Sequence, residues 1–218
     1  MATKTTNEII EIRPLEIVKT TIRIVGDSPL IMHAWSEKAK REMLEKQMKV
    51  TKTKAREAKN PYEDFIRSMY WLSDMPTDMT KEGFEAAIAN GARFGFPVTA
   101  FKQAAISAAY RMGWTKDKMS MRGAFYIDGD SNQMLEIKSD KPIMREDMVK
   151  VGMGTADIRY RGEFRNWYVD MPISFNKNGK YEFEQIVNII NAGGYVCGVG
   201  EWRPERDGQY GMFHVSAK

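Results

Sequence analysis

The stretch that decides the fold runs from Tyr181 to Val215: YEFEQIVNII (181–190), NAGGYVCGVG (191–200), EWRPERDGQY (201–210) and GMFHV (211–215). Phe183, Ile186, Val187 and Ile190 recur at helical spacing. Residues 181–192 are therefore predicted to form an amphipathic helix, ended by Gly193-Gly194. Residues 195–199 and 209–215 then read as a pair of strands enclosing a loop that carries glycine and arginine. Just upstream, 170–175 reads as a strand and Asn176-Lys177-Asn178-Gly179 as its turn. Strand, helix, strand is half of a split βαβ unit.

Toward the N-terminus, residues 149–151 and 158–169 read as strands. So do 124–127 and 134–138, with Gly129-Asp130-Ser131-Asn132 as a hairpin turn between them. Phe96-Pro97-Val98-Thr99 leads into a helix over 100–112, small and apolar on one face and bearing Lys102 and Arg111 on the other. Three helical segments precede it. One spans 36–59 with Ser36 as its N-cap, one restarts at 62–72 after the Asn60-Pro61 break, and one covers 80–90, capped by Thr80 and stopped at Gly91. Residues 16–25 (EIVKTTIRIV) alternate as a first strand, and 1–14 form a flexible polar arm. The order predicts an α+β fold in one domain over 15–218, with a helical insertion at about 36–90.

Composition narrows the class. The 218 residues are 43% hydrophobic and 28% charged, which is the balance of a folded protein rather than a disordered or fibrous chain. The net charge of +4 hides segregation. Residues 36–59 hold nine Lys or Arg against four Glu, and 93–122 hold six basic residues against Asp117 alone. The segment between them, 62–90, has six acids against Arg67 and Lys81, so a basic face is expected despite the even total. A single cysteine, Cys197, excludes an intramolecular disulfide and points to a reducing compartment. Together with His33 and His214 it cannot complete a four-ligand zinc site. The apolar stretch 186–199 is broken by Asn188, Asn191 and glycines, too polar and short for a bilayer. A cytoplasmic protein with no membrane partner, no metal and no cofactor is expected.

Two constellations carry chemistry. If 157–167 is extended, Arg159, Arg161, Arg165 and Trp167 share one face, with Tyr160, Phe164 and Tyr168 on the other. Arginines alternating with aromatics suit a single strand, guanidinium to phosphate and ring to base. An ordinary amphipathic strand with its aromatics in the core is the other reading. In the glycine loop, Gly198 and Gly200 allow close backbone approach, while Trp202, Arg203 and Arg206 offer a ring and charge. No Gly-Lys-Ser/Thr and no helix follow, so this is neither a Walker loop nor a dinucleotide fingerprint. Glycines that serve turn geometry alone are again the alternative.

The run from Gly198 to Phe213 resembles the C-terminal glycine-rich loop of the RAMP superfamily, RRM-like proteins that include backbone subunits and processing nucleases of CRISPR systems. Phe96-Pro97-Val98-Thr99-Ala100-Phe101-Lys102-Gln103-Ala104-Ala105 is similar to the family's other landmark. It has Thr99-Ala100 and Lys102-Gln103 in place of the usual Ser-Ser and Lys-Gly. The resemblance follows most of the chain in order. It implies an RRM/ferredoxin-like antiparallel sheet, a helical insertion after the first strand, and a projecting β-hairpin that includes 157–167. Combined with the basic segments, it yields the leading expectation: a non-catalytic protein that binds single-stranded RNA or DNA. The expected contacts are Lys102, Arg111, Arg159, Arg161, Arg165, Trp167, Gly198, Gly200, Trp202, Arg203 and Arg206. By the same resemblance, copies assemble along the strand as a homo-oligomer or join a ribonucleoprotein. The Met-rich character is similar to that of bacteriophage proteins, which would place the chain in a bacterial host cell.

His33 follows the first strand, where the resembled processing nucleases keep a histidine as general base. Such a group needs no metal to take a proton from a 2′-hydroxyl. A histidine packed between Met32 and Trp35 is the other reading. Asp27 sits in a GDSP turn and His214 alternates with Phe213 and Val215. HExxH and GxSxG are both missing. The chain is expected not to be an enzyme. The alternatives are a metal-independent endoribonuclease using His33, and an adaptor that mimics a subunit of a nucleic-acid complex. The 16 Met and 5 Trp suit such an adaptable surface.

Overall fold

The alternation of residues 16–25 becomes β1 (Ile17–Gly26), in which Ile22 and Ile24 are buried while Lys19 and Thr21 face water. β1 belongs to a computed structural model that describes residues 14–35, 37–49, 59–151 and 154–216. β2 (Leu30–Met32), α1 (Glu37–Gln47), α2 (Pro61–Arg67), β3 (Tyr70–Trp71), α3 (Lys81–Ala89) and β4 (Phe94–Pro97) follow in chain order. Next come α4 (Val98–Arg111), α5 (Lys118–Arg122), β5 (Phe125–Ile127), β6 (Met134–Ile137), β7 (Ile143–Val151), β8 (Thr155–Phe164) and β9 (Tyr168–Asn176). α6 (Phe183–Ala192) runs on into a π-helical turn (Gly193–Cys197). A 3₁₀ turn (Pro204–Arg206) and β10 (Phe213–Val215) close the described chain. The fold is α+β, as expected.

Among the described residues, three antiparallel sheets organise it. The largest has the order β10-β1-β9-β5, the second β2-β8-β7 and the third β3-β4-β6. In the largest, Ile22 pairs with Met171 and Ile24 with Val169, so their side chains share one face by the period of two. That face joins Phe101, Ala104, Ala105 and Ala108 of α4 and Ile186, Ile189 and Ile190 of α6 in one core. The opposite face holds Arg23, which clamps Asp170 at 2.7 Å and lies over the Tyr168 ring. Caps anchor the helices. Asn60 accepts from the backbone N–H groups of Tyr62 and Glu63, Thr80 accepts from Gly83, and Glu182 with Gln185 forms a capping box.

The structure corrects several expectations. The helix expected over 62–72 stops at Arg67, because Ser68 donates to the Phe65 carbonyl and accepts from Gly162 N–H of β8. Tyr70 and Trp71 then leave to pair with Gly95 and Phe94 as β3. Residues 129–132 do turn the chain, but β5 pairs with β9 and β6 with β4, so no hairpin forms there. The strand expected over 158–169 is broken: β8 ends at Phe164 and Asn166 takes φ 49°. Residues 195–199 are not a strand, because helix α6 continues as the π turn. There Gly194 lies so close to the Phe213 carbonyl that a Cβ would sit 1.9 Å from its oxygen. The strand expected over 209–215 shrinks to β10, which pairs with β1. The 36–90 insertion also contains β3, besides its helices. α1 is described to Gln47, whereas 50–58 and the Ser36 cap lie outside the described residues, as does the arm over 1–13.

Candidate nucleic-acid interface

β7 and β8 form a long hairpin in which Arg145 stands opposite Arg161 and Asp147 opposite Arg159. Arginines directly opposed on one face would repel. Carboxylates interleave them instead. Arg161 Nη1 donates to Asp147 Oδ2 at 3.2 Å, and Arg145 Nε donates to Asp147 Oδ1 at 2.8 Å. Glu163 accepts from Arg145 Nη1 at 3.0 Å and from Arg165 Nε at 2.7 Å. The side chains of Arg161, Asp147 and Glu163 are 6%, 7% and 5% exposed, so this network is held inside the protein. Burial opposes the charge of Arg145, but its bonds to Glu163, Asp147 and Tyr210 outweigh that and hold it above the ordinary arginine value.

The same arginines tie the hairpin to the C-terminal loop. Arg145 donates to Tyr210 Oη at 3.1 Å and lies 4.6 Å over the Tyr210 ring. Arg161 Nη2 approaches Glu201 Oε2 at 3.7 Å and His33 Nδ1 at 3.5 Å, while His33 Nδ1 lies 3.4 Å from Glu201 Oε1. The His33 bond, with Arg161 and Arg203 nearby, holds the Glu201 carboxyl below its ordinary range against the opposing effect of burial. In the loop, Arg203 donates to the Gly200 carbonyl at 3.0 Å and bonds Glu205, which also accepts from Arg111 at 3.0 Å.

Between hairpin and loop lies a cavity of about 420 Å³ walled by Val149, Arg161, Glu201, Trp202, Arg203 and Arg206. Glu201 and Arg203 also line a second cavity of about 230 Å³, together with His33, Tyr70, Thr99 and Gln103 among others. Trp202 is 40% exposed and holds φ 52°. Arg206 is exposed and forms no ion pair among the described residues. The buried Arg161 Nε has no hydrogen-bond partner among the described residues.

The structure thus gathers Arg111, Arg161, Arg203, Arg206 and Trp202 from the expected set around the C-terminal loop. Others go elsewhere. Trp167 is 1% exposed and donates from Nε1 to the Ser28 carbonyl at 2.8 Å, so it belongs to the core and not to an arginine face. Its ring occupies the space a Cβ on Gly26 would need. Lys102 turns to β5, its ammonium 4.1 Å over the Tyr126 ring, and burial lowers its pKa. Arg159 pairs with Asp157, which also takes Lys59. Arg165 is exposed but engaged by Glu163. Gly200, at φ 79°, packs against the Ile31 carbonyl, where a Cβ would lie 2.5 Å from the oxygen. Gly198, at φ 63°, packs against Pro204. The close approach these two glycines permit is therefore to the chain itself. His33 is exposed, and its imidazole faces Glu201.

The chain matches no known protein family and no curated protein. Among the described residues, no group of three or more His, Cys, Asp or Glu side chains is arranged to hold a metal ion. No helix among them is long and apolar enough to cross a membrane. Arg145, Asp147, Glu163, Glu201 and Tyr210 were not expected at the site. Arg145 and Asp147 share a face only once the whole of 143–151 is paired with β8, of which the sequence offered 149–151 alone, while Glu163 lies within the arginine stretch and Glu201 and Tyr210 within the glycine loop.

Proposed function

We propose that this chain is a non-catalytic, cytoplasmic single-stranded nucleic-acid-binding protein with an RRM/ferredoxin-like fold similar to that of the RAMP superfamily. The strand order supports the fold: taken in chain order, the four strands of the largest sheet lie 4-1-3-2, with α4 between the first two and α6 between the last two. The β7–β8 pair, between β5 and β9 in chain order, would be the projecting hairpin of that family.

The functional reading is carried by one observation, the cavity between hairpin and loop with Arg203, Arg206 and Trp202 on its wall. A phosphate would meet Arg206 and Arg203, and an unpaired base would stack on Trp202. A duplex keeps its bases stacked and offers none to the ring. The network of Arg145, Asp147, Arg161 and Glu163 is the scaffold: through Arg145 to Tyr210 and Arg161 to Glu201 it holds the loop against the hairpin. Preorganisation of this kind lowers the cost of ordering on binding. Assembly of further copies along the strand extends the reading.

The test is fluorescence anisotropy with a single-stranded oligonucleotide on Trp202→Ala and Arg206→Ala. Loss of the ring should weaken binding by about 1–3 kcal/mol, the usual worth of one stacked base. Loss of Arg206 should reduce the slope of log affinity against log salt by about 1. Unchanged affinity and slope in both variants would place the interface elsewhere.

A further inference from the structure

The cavity shares Glu201 and Arg203 with the second one, which reaches α4. On α4, Thr99, Gln103, Ser107 and Tyr110 fall on one stripe by helical spacing. Thr99, Gln103 and Tyr110 are exposed and Ser107 is half-buried. Thr99 and Gln103 line the second cavity beside Arg203 and Glu205. Further along, Lys118 donates to Ser107 Oγ at 3.3 Å and lies 5.4 Å over the Tyr110 ring. Arg111, next to Tyr110, returns to the loop through Glu205. Glu205 joins Arg111 of the helix to Arg203 of the loop. Thr99 to Tyr110 spans roughly 16 Å at the rise of an α-helix.

At the far end the surface changes character. Tyr110, Met112, Trp114 and Met119 are 48%, 48%, 46% and 74% exposed, and Lys116, Lys118 and Arg122 are exposed beside them in sequence. Large apolar side chains this open rarely cluster without a partner. Rings interspersed with cations, with Asp117 as the one acid of residues 93–122 and engaged in capping α5, and with Glu205 bound to Arg111, match a polyanion with apolar faces.

We infer that a bound single strand leaves the Arg203–Arg206 cavity along the exposed stripe of α4 and stacks bases on Tyr110 and Trp114, with Arg111 and Lys118 meeting its phosphates. The inference rests on the nucleic-acid reading above and adds to it a second contact area and a direction of travel. A ligand too short to reach from the cavity to Tyr110 gains nothing from this platform, whereas a longer one gains stacking at both ends.

The experiment uses oligo-deoxythymidines of about 4 and roughly 16 nucleotides, lengths that bracket common site sizes. The proteins are the full chain, Tyr110→Ala, Trp114→Ala and Trp202→Ala, each checked for an unchanged melting temperature. The inference expects Tyr110→Ala and Trp114→Ala each to weaken the longer strand by roughly fivefold or more and to leave the shorter one unchanged. Trp202→Ala should weaken both lengths. If Trp202→Ala weakens both while the α4 variants bind the longer strand like the full chain, the platform is wrong and the cavity reading stands. If the full chain binds neither length, both fall, and the patch becomes a surface for a protein partner.

Discussion

Arg161 and Asp147 meet at 3.2 Å across β7 and β8, with both side chains almost completely withdrawn from water. Arg145 shares the same carboxylate. An ion pair this deep gains little over apolar residues of equal volume, but breaking it on one side strands a buried charge. Asp147→Ala is therefore expected to lose about 3–5 kcal/mol of stability in denaturant titrations. The double variant Asp147→Leu with Arg161→Met should lose clearly less than Asp147→Ala. Equal losses would show that the pair is not energetically coupled.

Trp167 separates a surface role from a core role. Its indole is buried among the residues of β1 and β9 and lies 6.2 Å from the Phe213 ring. Trp167→Ala should cost about 3–5 kcal/mol by cavity formation. The conservative Trp167→Phe should bind an oligonucleotide like the unaltered chain, whereas Trp202→Ala should not. A thermal melt with a full binding titration reads both effects.

Acid should weaken the junction between hairpin and loop. The folded state holds the Glu201 carboxyl below its ordinary value near 4.5, chiefly through His33. A depressed folded pKa means that the stabilisation is fully present above the unfolded value and is lost as pH falls through the folded one. Unfolding of Glu201→Gln beside the unaltered chain should show a gap in stability at pH 7 that narrows below about pH 4.5. A gap independent of pH would mean that the carboxylate's charge contributes nothing.

Much of the central sheet was legible in the sequence, because its strands carry their own signals. EIVKTTIRIV alternates, NKNG turns the chain, and FEQIVNII repeats at helical spacing. β2 and β3 were not legible. They are three and two residues long and exist only because β8 and β4 lie beside them. The π turn after α6 defeats local reading for a related reason. Gly193-Gly194 normally ends a helix, but here the two glycines let the chain pass against Ala105 and Phe213 while still coiled. At the site, Arg203, Arg206 and Trp202 could be named from their loop. Asp147, which neutralises Arg161, could not, since it lies on β7 and reaches β8 through register alone. Glu163 was passed over although period-two counting sets it between Arg161 and Arg165 on the same face. Trp167 was misplaced because period-two counting cannot see the break at Asn166.

The account's central claim is a single-strand interface on the Arg203–Arg206 loop, and salt-dependent anisotropy tests it most directly. Matched single-stranded RNA, single-stranded DNA and duplex DNA would each be titrated at a low and a moderate salt concentration. The account predicts that the single strands bind more tightly than the duplex. It also predicts that affinity falls steeply with salt, as counterion release requires, and that Arg206→Ala flattens the slope. Tighter duplex binding, or a slope that Arg206→Ala does not change, would contradict it.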